Sequence, residues 1–137
     1  MCNNIDKADL SVLFVEDEGI TTHLFVQTLK KYYKKVYGAL NGEEALKLFK
    51  EHKPHIVISD ILMPKLNGIE LIEKIKEIKP ETAIIVMSAV SEPAYIEDAL
   101  ALGVKHYLIK PVMSEELFEV LNKVTSELFE IEIDVDL

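Results

Sequence analysis

Five short β-rich runs, alternating with stretches of helical periodicity, constrain the fold of this chain more than any other feature. The runs are Leu10–Val15, Lys35–Ala39, His55–Ser59, Ala83–Met87 and Lys105–Ile109. Three of them are nearly continuous in Val, Ile, Leu and Phe, which suits strands covered on both faces of a parallel sheet. Between them, apolar residues recur three and four apart, as at Ile69, Ile72 and Ile75. A chain of 137 residues holds one such core and little more. The alternation predicts a doubly wound α/β fold, a five-stranded parallel sheet with helices on both faces.

Boundary signals agree with this division. Asn41 and Glu44 have the spacing of a capping box, followed by Ala45, Leu46 and Phe49 on one helical face. Pro93 suits a first helical turn, and Gly103 suits the end of the same helix. Ser114 is placed as an N-cap, with Met113 and Phe118 spaced as a hydrophobic staple.

In a doubly wound sheet, ligands bind beyond the carboxyl ends of the strands, where the winding reverses. Those ends carry Glu16 and Asp17 after strand one, Asp60 after strand three, Ser88 after strand four and Lys110 after strand five. One edge thus receives three carboxylates, a hydroxyl and an ammonium. Two carboxylates about 4 Å apart repel by about 1 kcal/mol in water and about 4 kcal/mol near a protein surface. A hard divalent cation offsets that repulsion, and Mg²⁺ suits a partly open site of a few oxygens. Asp17 and Asp60 are the candidate direct ligands, with Glu16 reaching through a water. Lys110 can pair with Asp60 and then with phosphoryl oxygens as a point charge. Ser88 can hydrogen-bond the same group. The set describes in-line phosphoryl transfer to a carboxylate.

Composition limits the rival classes. The net charge of −9 weighs against direct binding to nucleic acid or an anionic membrane. No apolar run approaches the roughly 20 residues of a membrane span. The N-terminus lacks the basic start and apolar stretch of a secretory signal. The single cysteine, Cys2, excludes an internal disulfide, so a cytoplasmic location is expected. His23, His52, His55 and His106 lack metal-ligand spacing and receive no role.

The segments Val12-Leu13-Phe14-Val15-Glu16-Asp17, Ser59-Asp60-Ile61-Leu62-Met63-Pro64 with Gly68, Met87-Ser88-Ala89 and Lys110-Pro111 together resemble the response-regulator receiver family of two-component signalling. The resemblance covers residues 8–127. It implies a flavodoxin-like strand order, 2-1-3-4-5. It also implies that Asp60 is the phosphoacceptor, that Glu16 and Asp17 hold Mg²⁺ with it, and that the Leu62 carbonyl is a further ligand. Ser88 becomes the switch hydroxyl, Tyr107 the switch aromatic and Lys110 the charge partner. A histidine kinase would donate the phosphoryl group, and helix four, strand five and helix five would form the output face. The chain would then be a signalling phosphoacceptor that catalyses only its own phosphorylation and dephosphorylation. A homodimer through that face, or through the tail, is a further implied partner arrangement.

Each residue also has an ordinary explanation. Glu16, Asp17 and Glu18 favour a helix N-terminus through its dipole. Asp60 suits a turn, Ser88 a local backbone contact, Lys110 a solvated strand end, and Tyr107 an outer strand face. All of these must hold at once, at matching strand ends, for the site to be accidental. A phosphatase of the haloacid dehalogenase type would carry a second aspartate where this chain has Leu62. A flavin binder would need a hydroxyl- and glycine-rich loop where this chain has Glu16-Asp17-Glu18. A phosphorylation-independent pseudo-receiver, acting as a protein-binding module, would have lost an acid or the lysine.

Ser88 stands where the family more often has threonine. Leu62 and Val90, each two residues past a key position, are apolar and would hinder an attacking water. Gly103-Val104-Lys105-His106 lacks the acidic pair of the dimer-forming winged-helix regulators. Residues 128–137 form an acidic tail or the start of a linker to an output domain. There Phe129, Ile131, Ile133 and Val135 alternate with acids as in a strand. Yet Leu117, Leu121, Val124, Leu128, Ile131 and Val135 follow a helical four-three spacing.

Overall fold

A computed structural model describes the backbone of residues 9–136 and the side chains of residues 9–128. Cys2 and the tail side chains beyond Leu128 therefore lie outside the described residues. Strands and helices alternate as β1 (Ser11–Val15), α1 (Gly19–Leu29), β2 (Lys35–Ala39), α2 (Gly42–His52), β3 (Ile56–Ser59), α3 (Gly68–Ile78), β4 (Ala83–Ser88), α4 (Pro93–Ala101), β5 (His106–Ile109) and α5 (Ser114–Asp136). All neighbouring strands are parallel, in the order β2-β1-β3-β4-β5. The expected order and fold class are those observed. Strand bounds differ from the sequence reading by single residues: Leu10, His55 and Lys105 fall just outside, and Ser88 falls inside β4.

The period-2 alternation of strand side chains splits the core in two. Val12 and Phe14 of β1 face Val26, Leu29, Leu117, Leu121 and Val124 of α1 and α5. Leu13 and Val15 face Ala45, Phe49, Leu71, Ile72 and Ile75 of α2 and α3. Both faces of β1 are thus dry, which is why its sequence reads as a continuous apolar run.

The helix ends follow local chemistry, with two departures from the sequence reading. At α2, Asn41 Oδ1 accepts from the Glu44 amide at 2.8 Å, but the Glu44 carboxylate takes the Leu40 amide at 2.9 Å. The reciprocal half of that box is therefore displaced by one residue. The complete capping box, unnoticed in the sequence, belongs to Asn67 and Glu70 at α3. The second departure is at α5. Ser114 is already its first residue, and the Leu117 amide bonds the Met113 carbonyl at 3.1 Å. Met113 is 69% exposed, so no staple forms; Phe118 packs instead against Tyr32 at 4.7 Å between ring centroids.

Pro93 opens α4, and Gly103 closes it at φ +91°. The Gly103 and Val104 amides bond Leu100 and Ala99 carbonyls at 3.0 and 3.1 Å, the pattern of a Schellman motif. α5 runs unbroken to Asp136, so the tail backbone follows the helical spacing rather than the alternating one. Packing of Leu117, Leu121 and Val124 on the sheet anchors that helix, and each further residue costs little once a helix is in place.

Gly68 ties the fold to the carboxyl edge of the sheet. Its amide bonds the Ile61 carbonyl at 2.7 Å, and a Cβ there would lie 2.1 Å from the Asp60 carbonyl oxygen. Gly68→Ala must therefore shift backbone. The expected cost is about 2 kcal/mol or more, read as a lower urea midpoint with an unchanged slope.

Candidate functional site

The carboxyl edge of the sheet is positioned by ladder hydrogen bonds that run one residue past each strand. The Glu16 amide bonds Ala39 at 3.1 Å, the Asp60 amide bonds Val15 at 3.1 Å, and the Lys110 amide bonds Ser88 at 2.9 Å. Each site backbone is thus fixed by the strand beside it, not by a free loop. The Lys110–Pro111 peptide bond is cis.

Oxygens of Glu16, Asp17 and Asp60 all lie within 4.8 Å of one another, a grouping able to hold a metal ion. Glu16 is only 4% exposed, whereas Asp17 is exposed. Lys110 Nζ donates to Asp60 Oδ2 at 2.9 Å and also to Glu16 Oε1. The strand ends alone point Lys110 to Asp60; its bond to Glu16 depends on side-chain reach across the sheet. Burial pushes the Glu16 carboxyl up from its ordinary range, against the pull of Lys110. Burial acts to lower Lys110, but its bonds to Glu16 and Asp60 outweigh that and hold it above the ordinary lysine range. The lysine is therefore a fixed positive charge. Its two carboxylate partners and Asp17 sum to three negative charges, so the cluster keeps an excess of two when all are ionised.

Further contacts fix the carboxylates. Asp60 Oδ1 accepts from the Ile61 amide at 2.6 Å, and Ser59 Oγ donates to the Asp60 carbonyl at 2.7 Å. Glu16 Oε2 accepts from the Glu18 amide at 3.2 Å. Thr22, buried in α1, donates to the Glu16 carbonyl at 2.7 Å. A threonine on the first turns of α1 is the only mark of this tether in the sequence.

Ser88 is fully buried, and its hydroxyl accepts from the Val90 amide at 3.2 Å. Tyr107 donates its phenol to the Val90 carbonyl at 2.6 Å. Ser88 and Tyr107 thus meet through Val90, a link that their spacing in the chain conceals. Burial pushes the Tyr107 hydroxyl up, and the negative charges of Asp60 and Glu92 add to this. Leu62 lies in the β3–α3 loop and is 54% exposed.

Three of the four histidines make their contacts away from this edge. His55 Nδ1 accepts from the Ser11 amide at 3.0 Å, His52 stacks on Tyr37 at 4.1 Å, and His106 meets Glu127 at 3.3 Å. Among the described residues, no helix is long and apolar enough to cross a membrane.

A parallel sheet in the order 2-1-3-4-5, with an acidic triad and one lysine at its carboxyl edge, defines a receiver module. The sequence profile of the response regulator receiver domain matches residues 12–122, and the chain belongs to that family. It is 39% identical over 115 residues to a chemotaxis protein CheY of Thermotoga maritima, covering 83% of this chain and 96% of the relative. It is also 40% identical over 90 residues to the uncharacterized transcriptional regulatory protein YesN of Bacillus subtilis, covering 66% of this chain but 24% of that one. Among solved structures, the N-terminal domain of an uncharacterized Wolinella succinogenes protein superposes with a TM-score of 0.83 at 35% identity, over 88% of this chain and 98% of that one. A CheX–CheY–BeF₃–Mg²⁺ complex from Borrelia burgdorferi matches at TM-score 0.75 and 28% identity, over 88% and 89%. The chain is accordingly a CheY-like receiver domain of the two-component response regulators.

Proposed function

We propose that this receiver accepts a phosphoryl group on Asp60 in a Mg²⁺-dependent reaction, with a histidine kinase as donor. The observation that carries the reading is the clustering of Glu16, Asp17 and Asp60 oxygens within 4.8 Å, with Lys110 bonded to Asp60. An all-oxygen set with two uncompensated negative charges fits a hard divalent cation. Glu16, Asp17, Asp60 and the Leu62 carbonyl would hold it. When bound, the ion neutralises charge and templates the phosphoryl oxygens.

The residues supply the rest. The Asp60 carboxylate attacks phosphorus, the bond from phosphorus to the donor nitrogen breaks, and the imidazole leaves with the electron pair. Lys110 exchanges part of its pairing with Asp60 for a phosphoryl oxygen. Ser88 turns its hydroxyl from the Val90 amide toward the same group, and Tyr107 turns inward as its anchor on Val90 moves. The added charge is roughly −1.5 to −2, and only differential contacts such as these convert it into a change of shape. The face of α4, β5 and α5 then meets an output domain or protein, or a second copy. The assigned receiver spans residues 8–127, and residues 128–137 are the acidic tail or the start of a linker. Its location is cytoplasmic, it acts on no separate substrate, and it does not itself bind nucleic acid.

Incubation with acetyl phosphate and Mg²⁺, followed by intact mass, tests the reading. One added phosphoryl group is expected, absent from Asp60→Asn. An equal adduct on Asp60→Asn, or none on either protein with Mg²⁺ binding also undetectable, counts against it.

Leu62 and Val90 offer no hydrogen-bond partner from their side chains to an attacking water, so a long-lived acyl phosphate is expected. Polar substitution of either should shorten its lifetime several-fold, followed by loss of the phosphorylated mass. An unchanged rate for a polar Val90 variant would remove this explanation.

A further inference from the structure

The amino edge of the sheet, opposite Asp60, carries a cavity of about 230 Å³ between α3, the α3–β4 loop, β5 and α5. Lys76, Thr82, Gly103, Lys105, His106 and Glu127 are among its lining residues. Lys76 is held in place there. Its Nζ donates to the Pro80 carbonyl at 3.1 Å and to the Thr82 carbonyl at 2.9 Å. With the bond to Cε, these two hydrogen bonds use both N–H groups that a neutral amine has. What such an amine keeps uncommitted is its lone pair. Gly103 keeps space beside it, since even an added Cβ there would come no nearer than 4.0 Å to Nζ.

The surroundings raise the neutral fraction of this amine above that of an ordinary exposed lysine, and they suit an anionic visitor. Burial pushes Lys76 below the ordinary lysine range, and the Lys105 charge acts in the same sense against the opposing pull of Glu81. Lys105 is 72% exposed and only loosely paired with Glu127, at 3.8 Å. It is free to swing toward an incoming anion. His106, 3.3 Å from Glu127, occupies the same carboxylate on its other side and so leaves Lys105 the more available cation.

We propose that Lys76 is a self-acylation site for small acyl phosphates, with Lys105 drawing in the phosphate. The Nζ lone pair attacks the acyl carbonyl carbon. The bond from that carbon to the phosphate oxygen breaks, and phosphate departs with the electron pair. The proton lost from nitrogen passes to phosphate or solvent. The product is a neutral amide with one N–H, so either Pro80 or Thr82 loses its donor. The α3–β4 connection is then held by one bond in place of two.

The site is independent of the Asp60 reading, and one reagent separates the two. Wild type and Asp60→Asn are treated with acetyl phosphate, and acetylation is followed at every lysine by peptide mass. Lys76 is expected to be labelled several-fold faster than the exposed Lys47 and Lys123 in both proteins, with the preference lost in denaturant. Lys105→Gln should slow labelling of Lys76 by acetyl phosphate more than labelling by a neutral acyl ester. Labelling of Lys76 no faster than Lys47 and Lys123, or a preference that survives denaturant, would overturn the proposal. Equal slowing of both reagents by Lys105→Gln would overturn the role of Lys105. Absence of both phosphorylation and Mg²⁺ binding, alongside rapid Lys76 acetylation, would sink the Asp60 reading and leave this one standing.

Discussion

Lys110→Met is expected to slow phosphoryl uptake by about 100-fold, the usual scale for removing one preorganised partner of a developing charge. Lys110 is the ammonium that bonds both Glu16 and Asp60, and Asp60 is 11% exposed at its side chain. Without it, an incoming phosphate meets three carboxylates. The same change should lower stability by about 2 kcal/mol in metal-free buffer. That is below the 3–5 kcal/mol typical of a broken buried pair, because Lys110 is 26% exposed and Glu16 can take up a proton. Mg²⁺ should then raise the melting temperature of the variant more than that of the parent, since the ion no longer competes with the lysine. Unaltered uptake together with unaltered metal-free stability would remove Lys110 from the site.

Asp17→Asn separates chemistry from folding. Asp17 is exposed yet contributes an oxygen to the cluster. Its replacement should change stability by no more than about 0.5 kcal/mol, and in the favourable direction, because a repulsion is relieved. Mg²⁺ affinity should nonetheless fall by about 100-fold, as expected for losing one of few charged oxygen ligands. Phosphoryl uptake should then require correspondingly more metal. Calorimetric titration reads the affinity, and saturation of uptake against Mg²⁺ reads the consequence. Matching affinities for variant and parent would place the metal elsewhere.

The fold was legible because its signals were local. Buried parallel strands read as apolar runs, and a helix stop at Gly103 needs only a residue that tolerates φ +91°. The candidate site was legible in outline because the doubly wound topology converts strand ends into one edge. What stayed hidden depends on side-chain reach across strands. The Lys110 bond to Glu16 links residues 94 apart in sequence, and the Tyr107 contact with Val90 links residues 17 apart. No periodicity encodes either. At α5, Met113 and Phe118 have staple spacing, yet Tyr32 from the α1–β2 loop supplies Phe118 with its partner. The tail offered two periodicities at once, and the helix already formed by Leu117, Leu121 and Val124 decided between them for the backbone.

Mapping the phosphoryl group itself decides whether Asp60 is the acceptor. Protein exposed to a small phosphodonor, with Mg²⁺ or with a chelator, is reduced with borohydride so that an acyl phosphate on aspartate is trapped as homoserine, then mapped by peptide mass. Homoserine is expected at position 60 with Mg²⁺, and essentially none with the chelator. Trapping at Glu16 or Asp17, or equal labelling of Asp60 without the metal, would contradict that expectation.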